Sequence, residues 1–394
     1  VIPVEEARAR VLAALSPLGA ETIALPEGFG RVLAAPIIAR LTQPPADLSA
    51  MDGYALRAAD AVLGARLKII GAAPAGHPFG GTIGPGQAVR LFTGSVLPAG
   101  ADTVLLQEDA TVNADVLTVN EAVPPGKHIR RAGQDFAAGD VLIAPGRRLT
   151  TRDIGLAAAG NHAWLAVHRR PRVAILATGD EISLPGAPIA PGGIVSSNAH
   201  ALAAFVTAAG GIPTILPIAA DDLGAIAAGA DAAQGADLLV TTGGASVGDH
   251  DLVAAGLQAR GLALDFWKIA MRPGKPLMFG ALGALPLLGL PGNPVSALVC
   301  AILFLRPAIE LLSGLPGDPP ALHHAILGAA MKPNDQREDY VRARLQNGVA
   351  TPFPMQDSGM LRTLAQAQCL IRRPAFQEAL AAGAAVEIVL LDEY

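Results

Sequence analysis

Four short polar loops carry most of the residues in this sequence that could do chemistry: Ala177-Thr178-Gly179-Asp180-Glu181, Ala219-Ala220-Asp221-Asp222, the run TTGGASVGDHD from Thr241 to Asp251, and LPGNPVS from Leu290 to Ser296. Asp180, Glu181, Asp221, Asp222, Asp249 and Asp251 supply carboxylates. Crowded at one place they repel unless a hard cation such as Mg²⁺, or ordered water, holds them apart. A metal site is one reading of them. Helix capping is the other, because Asp is favoured just before a first turn, and Asp222 and Asp249 are read as caps while Glu181 and Asp251 are read as functional. Gly243, Gly244 and Gly248 allow a backbone to close on a ligand, the N–H groups of a following helix can receive a phosphate, and Ser246 adds a hydroxyl donor. The run is no Walker motif, and a tight strand-to-helix turn explains paired glycines equally well.

Cations stand in the stretch Trp267 to Pro276, where a Pro-Gly turn brings Arg272 and Lys275 near one another, with Lys268 upstream. Two fixed cations suit an oxyanion such as phosphate or molybdate, although a solvated surface turn would have the same composition. Pro291, Asn293 and Ser296 could serve a ligand, yet Asn293-Pro294 is also an ordinary N-cap and first helical residue. Two further loops, SAMDGYA (residues 49–55) and FTGSVLPAGAD (residues 92–102), offer Asp52 and Thr93. Each by itself is a turn between strands, the Asp-Gly pair being a common hairpin signal. The histidines have no metal-ligand spacing, no Ser-His-Asp set can be assembled, and Cys300 and Cys369 are read as reduced, structural thiols.

These loops need a scaffold that gathers them. Val4, Ala7, Val11 and Leu15 recur at helical spacing and predict an opening amphipathic helix. From Leu33 to Leu149 short β-prone runs alternate with Gly, Pro and Asp turns, which predicts a β-rich region. After Pro171 the rhythm changes to strand (Arg172 to Leu176), helix (Ala199 to Ala209), strand (Thr214 to Ile218), helix (Leu223 to Ala233) and strand (Asp237 to Thr241). Such alternation predicts βαβ units on a parallel sheet, whose loops all leave along one edge and so converge. A helix over Leu252 to Arg260, a hairpin over Leu264 to Phe279, a strand at Leu285 to Leu290, a helix at Pro294 to Leu312 and a small terminal β domain follow.

Bulk properties narrow the function. A chain of 394 residues exceeds one core, and a net charge of −5 lacks the basic excess of a nucleic-acid binder. The longest apolar run, Val295 to Leu305, ends at Arg306-Pro307, short of the roughly 18 residues of a membrane span, so no membrane association is expected. With no basic-then-apolar leader at its start, the chain is expected in the cytoplasm.

Taken together and in order, SAMDGYA, FTGSVLPAGAD, ATGDEI, TTGGASVGDHD, MRPGKP and GLPGNPVS resemble the MoeA family of molybdopterin molybdenumtransferases, which includes the E domain of gephyrin. The resemblance implies a multidomain α/β plus β fold. Residues 1–20 would form an N-terminal helix on domain III, 21–45 with 141–170 domain I, 46–140 a β-rich domain II, 171–318 a molybdopterin-binding α/β domain III with a parallel or mixed sheet, and 319–394 a β-barrel-like domain IV. It implies a homodimer whose active site lies between domain III of one subunit and the β-rich part of the other. The implied reaction takes adenylylated molybdopterin and molybdate, cleaves the pyrophosphate link with Mg²⁺, and releases AMP. Carried over, Asp52, Thr93, Glu181, Asp221, Asp251 and Lys275 would be catalytic, with Asp222 an alternative to Asp221. Asp52, Asp221 and Asp251 would hold the metal, and Gly243, Gly244, Ser246, Gly248, Arg272, Lys275, Pro291, Asn293 and Ser296 would bind the cofactor. Position 272 is often Lys in the family; Arg keeps the charge and offers a fork of donors. A molybdopterin adenylyltransferase and apo-molybdoenzymes are the implied partners. Competing readings are adenylylation of molybdopterin, and a non-catalytic binding or scaffold protein.

Overall fold

The computed structural model describes residues 1–243, 252–258 and 260–391. The chain forms two compact units, Thr22–Phe29 with Ala35–Leu165, and Val1–Glu21 with Gly30–Ala34 and Ala166–Tyr394.

In the first unit six strands make one sheet: β1 (Gly53–Leu56), β2 (Arg66–Ala73), β3 (Gln87–Leu91), β4 (Thr103–Leu106), β5 (Ala110–Asn113) and β6 (Val116–Val119), in the order β4-β1-β3-β2-β6-β5. Alternate residues point to opposite faces of a strand. Accordingly Tyr54 and Leu56 join Leu67, Leu105 and Leu117 in one core, while Ala55 joins Val89, Leu91 and Val104 in another. Gly53 is not the hairpin turn expected of Asp-Gly. It starts β1 and pairs with both Leu91 and Leu106, and a Cβ there would lie 2.0 Å from the Leu105 carbonyl oxygen. A separate small ladder, Ile37–Ile38 with Val141–Ile143, and the helix Thr151–Ala159, capped by a Thr150/Asp153 box, complete the unit.

The second unit holds a mixed sheet made of β7 (Arg172–Ala177), β8 (Ile212–Ile215), β9 (Leu238–Thr242), β10 (Leu262–Trp267), β12 (Met278–Leu282) and β13 (Leu285–Leu290), in the order β8-β7-β9-β13-β12-β10. Between β10 and β12 the chain makes a two-residue strand, β11 (Met271–Arg272), that leaves this sheet. β8, β7, β9 and β13 are mutually parallel, and β12 and β10 add antiparallel at the edge. Buried on both faces, β7 and β9 read as continuous apolar runs rather than alternating ones. One face packs on the opening helix Val4–Ala13 and the helix Asn198–Ala208 through Val4, Ala7, Val11, Leu202 and Val206. The other packs on the helices Leu223–Asp231 and Leu252–Gln258 through Ile226, Val253 and Leu257. Each fully buried Leu, Ile or Val contributes about 1.5–3 kcal/mol, and both faces of the sheet carry many of them.

The helix expected over Pro294 to Leu312 forms over those residues and runs on through Arg306-Pro307, where the apolar run of the sequence ends. A π-helical turn, Ala301–Leu305, lets the helix continue past Pro307, which sits in the first turn of Arg306–Leu312 where a missing N–H is tolerated. The resulting 19-residue helix is long and apolar enough for a bilayer, but 78% of it is buried inside the protein, where it forms the centre of the core.

The C-terminal strands β14 (Leu322–Leu327), β15 (Glu338–Gln346), β16 (Val349–Pro352), β17 (Cys369–Arg373) and β18 (Ala385–Leu390) close on themselves, because β15 pairs with both β16 and β17. Ala325, Leu327, Ala343, Ala350, Ile371, Val386 and Ile388 fill this small barrel. The strand β11 adds to it in parallel alongside β15, with Arg272 opposite Asp339.

Candidate functional site

The chain order β7, β8, β9 places β8 and β9 on opposite sides of β7, so the sheet changes direction at the carboxyl ends of β7 and β9, where open α/β sheets bind ligands. A cleft of ≈ 870 Å³ opens there. Its walls come from the ends of β7 (Ala177, Glu181), β9 (Thr242, Gly243) and β13 (Pro291, Asn293, Ser296), from the turn Arg272 to Pro276, and from Arg337 and Ser358 of the barrel domain.

The floor of the cleft is built by close backbone approach. Gly243 has φ +97°, and a Cβ on it would sit 2.3 Å from the Thr178 carbonyl oxygen, so only glycine fits where the β7 and β9 ends touch. Asn198, the first residue of its helix, donates from Nδ2 to Thr242 Oγ1 (2.9 Å) and to the Gly292 carbonyl (2.7 Å), tying the β9 and β13 ends together. Glu181 is exposed on the rim, its carboxylate folded over Gly179. Asn293 occupies the N-cap position before Pro294, but its side chain makes no capping bond; Nδ2 donates to Ser358 Oγ (2.9 Å), while the Val295 N–H donates to the Ser358 carbonyl (3.0 Å). Asn293 thus holds the N-cap position expected of it, but its side chain serves as a tether to the barrel domain instead of a cap. Ser296 is buried at the cleft wall.

The cations of the turn differ in state. Arg272 donates from Nη2 to Asp339 Oδ2 (2.6 Å) and lies 3.7 Å from Asp335. Lys275 is exposed on the cleft wall with no carboxylate partner among the described residues, leaving its ammonium available to an anion. Arg337 is paired with Asp335, whose carboxyl it holds well below the usual carboxylate range. Lys268 faces the Trp267 ring at 4.9 Å.

Of the other carboxylates, Asp222 accepts from the Ala225 N–H (2.8 Å), the capping role expected of it. Asp221 is exposed, and its N–H donates to Asp180 (3.0 Å). Neither lines the cleft. Gly244, Ser246, Gly248, Asp249 and Asp251 lie outside the described residues.

In the β-rich unit, the loops of Asp52 and Thr93 are laced together: the Ser49 N–H donates to the Ser95 carbonyl and the Gly94 N–H to the Ser49 carbonyl. Asp52 Oδ1 accepts from both the Thr93 N–H and its hydroxyl, each at 2.7 Å. The Thr93 hydroxyl and then its N–H hold the Asp52 carboxyl below its ordinary value, so it is ionised at neutral pH. Arg90 lies against the rings of Tyr54 and Phe92 beside it. Asp52 Oδ2 takes no hydrogen bond among the described residues. An ionised carboxylate with a free oxygen is a donor of the type Mg²⁺ takes. Among the described residues no group of three His, Cys, Asp or Glu side chains could by itself hold a metal ion.

Asn198, Arg337 and Ser358 were not singled out from the sequence. Asn198 had as its only signal a position before a predicted helix, and Arg337 and Ser358 belong to the terminal β domain, whose folding back toward the sheet edge no local pattern announces.

Three family models match the chain in succession: the MoeA N-terminal region (domain I and II) over residues 2–160, the probable molybdopterin binding domain over 174–311, and the MoeA C-terminal region (domain IV) over 324–391. A molybdopterin molybdenumtransferase 2 of Mycobacterium tuberculosis is 37% identical over 382 residues, covering 93% of this chain and 94% of that one. The molybdopterin molybdenumtransferase of Bacillus subtilis is 34% identical over 414 residues, covering 100% and 94%. The crystal structure of a molybdopterin biosynthesis MoeA protein from Pyrococcus horikoshii superposes with a TM-score of 0.87 at 30% identity, covering 99% of both chains. With all three regions present in sequence order, relatives matching end to end and the same multidomain fold, this chain belongs to the MoeA family.

Proposed function

We propose that this chain is a molybdopterin molybdenumtransferase that inserts molybdenum into molybdopterin, taking adenylylated molybdopterin and molybdate and releasing AMP. The observation that carries the chemistry is the cleft at the sheet's change of direction, with Lys275, which has no carboxylate partner among the described residues, and the forked donor Arg272 on one wall. A dianionic oxyanion such as molybdate gains from charge-assisted hydrogen bonds to both, and the guanidinium offers two parallel donors. Pro291, Gly243 and Ser296 shape the wall against which an extended ligand lies, and Gly243 brings backbone close to it. Glu181, on the same rim, orients the pterin end by accepting its N–H groups. Gly244, Ser246 and Gly248, with Asp251, complete the phosphate-binding side in this reading.

In the homodimer reading, Asp52 of one subunit with Asp221 and Asp251 of the other would hold Mg²⁺, which would neutralise charge on the pyrophosphate and favour departure of AMP. Thr93 keeps Asp52 ionised and fixes the direction of its free oxygen. A homodimer in the cytoplasm, receiving substrate from a molybdopterin adenylyltransferase and serving apo-molybdoenzymes, belongs to the same reading, as do the domain limits set out above.

The experiment is AMP release from adenylylated molybdopterin with Mg²⁺, with and without molybdate, followed by transfer of the product to a molybdenum-free apoenzyme. Molybdate-dependent release and a revived apoenzyme are expected. Tight binding of the substrate without turnover would refute the assignment.

A further inference from the structure

Asp339 is an unusual neighbour for an oxyanion site. Its side chain is only 3% exposed, one carboxylate oxygen receives the Arg272 guanidinium at 2.6 Å, and the other is buried with no hydrogen-bond partner among the described residues. Arg373, opposite it on β17, does not supply the missing donor, because its own donors go to Gln377 and the Glu378 carbonyl. A buried carboxylate that is half satisfied is costly to keep, so stability is a poor account of its presence.

Its surroundings suggest a different one. The strand β11 fastens Arg272 to β15 directly opposite Asp339, with the Glu338 N–H donating to the Ala270 carbonyl. On the other side of Arg272 the turn is packed tight: a Cβ on Gly274 would lie 2.3 Å from Met271 Cε and 2.6 Å from Cys300 Sγ. Backbone and side chain of Arg272 are thus fixed from the barrel side, while the residue lines the cleft.

We propose that Asp339 is a positioning residue for oxyanion binding: it holds one end of the Arg272 guanidinium at the barrel and so aims the remaining donors at the cleft ligand. The inference rests on the reading of Arg272 given above. It also explains how an Arg works at this place, since a long forked side chain needs an anchor to present its donors in a fixed direction.

The test is a double-mutant cycle on the full chain, with molybdate as the probe, reading equilibrium binding, KM for molybdate and kcat for AMP release separately. Asp339→Asn should weaken molybdate binding about tenfold, the size of one misdirected charge-assisted contact, and leave kcat at saturating molybdate unchanged. In an Arg272→Ala background the same substitution should have no further effect. If Asp339→Asn folds poorly, Asp339→Glu keeps the charge and displaces the guanidinium; it should weaken molybdate binding severalfold in the wild-type background only. Equal effects in both backgrounds, or none in the wild type, would overturn the positioning role while leaving Arg272 as a ligand. Unchanged molybdate binding by Arg272→Ala would instead overturn the reading of Arg272, and the inference with it.

Discussion

Lys275 and Arg272 face the same cleft from the same turn, but removing their charges should have different consequences for the folded protein. Lys275→Met keeps the length of the side chain and deletes the ammonium. A hydrogen bond to a charged group contributes about 1.5–3 kcal/mol, so the KM for molybdate should rise by about 10- to 150-fold. Lys275 is exposed and has no carboxylate partner among the described residues, so stability should move by no more than about 0.5 kcal/mol. Arg272→Met should weaken molybdate binding to a similar extent, but it also strips Asp339 of the one side-chain donor it has among the described residues. Leaving a buried acceptor unpaired costs about 1–3 kcal/mol, and the lower half applies because Arg272 is itself half exposed. That corresponds to a fall in melting temperature of several degrees, about 2–4 °C per kcal/mol in domains of this size. Molybdate titrations of AMP release and thermal unfolding of the two variants make the comparison. Equal destabilisation by both, or a Lys275→Met enzyme with an unchanged KM for molybdate, would refute the reasoning.

Four further outcomes follow from single contacts. Thr93→Val removes the hydroxyl that most lowers the Asp52 pKa; the group's pKa then rises, protonation sets in at higher pH, and the acid limb of AMP release should move upward, whereas an unmoved limb would detach Asp52 from the rate. Asn198→Ala breaks two hydrogen bonds between the β9 and β13 ends and should cost about 1–3 kcal/mol in denaturant unfolding while raising the KM for the pterin substrate. Gly243→Ala combines a positive φ with a 2.3 Å approach to the Thr178 carbonyl, and a loss of less than about 1 kcal/mol would show that the floor is softer than this contact implies. Cys300 and Cys369 are buried thiols in no disulfide, and burial pushes the Cys300 thiol well above its ordinary value, so neither should react with an aromatic disulfide until the protein unfolds.

How much of this was legible beforehand depended on whether a residue's role was local. The strand Leu285–Leu290 and the helix Pro294–Leu312 lie where the apolar pattern put them, because period and turn residues are local properties. The convergence of Glu181, Gly243 and Pro291 to Ser296 needed only the rule that parallel strands leave by one edge. Asp222 as a cap is likewise a three-residue matter. Gly53 misled, since an Asp-Gly pair reads as a hairpin until three strands are known to meet at it. The helix over Pro294 to Leu312 was legible, but the π-helical turn that carries it past Pro307 was not, and the run ending at Arg306-Pro307 understated how much apolar helix the chain holds.

The barrel's contribution was illegible for a deeper reason. Asp339 sits 67 positions from the Arg272 it anchors, Ser358 65 from Asn293, and Asn198 94 from Gly292. No spacing in the chain distinguishes such a pair from two polar residues that face solvent. What gives Asp339 away is the combination of burial with a single unsatisfied oxygen, an expense that only a three-dimensional accounting of donors and acceptors reveals. The cleft's place at the sheet edge therefore follows from periodicity, while the direction in which Arg272 points is set by a partner in the barrel, and it is that direction which an oxyanion with fixed geometry would sense.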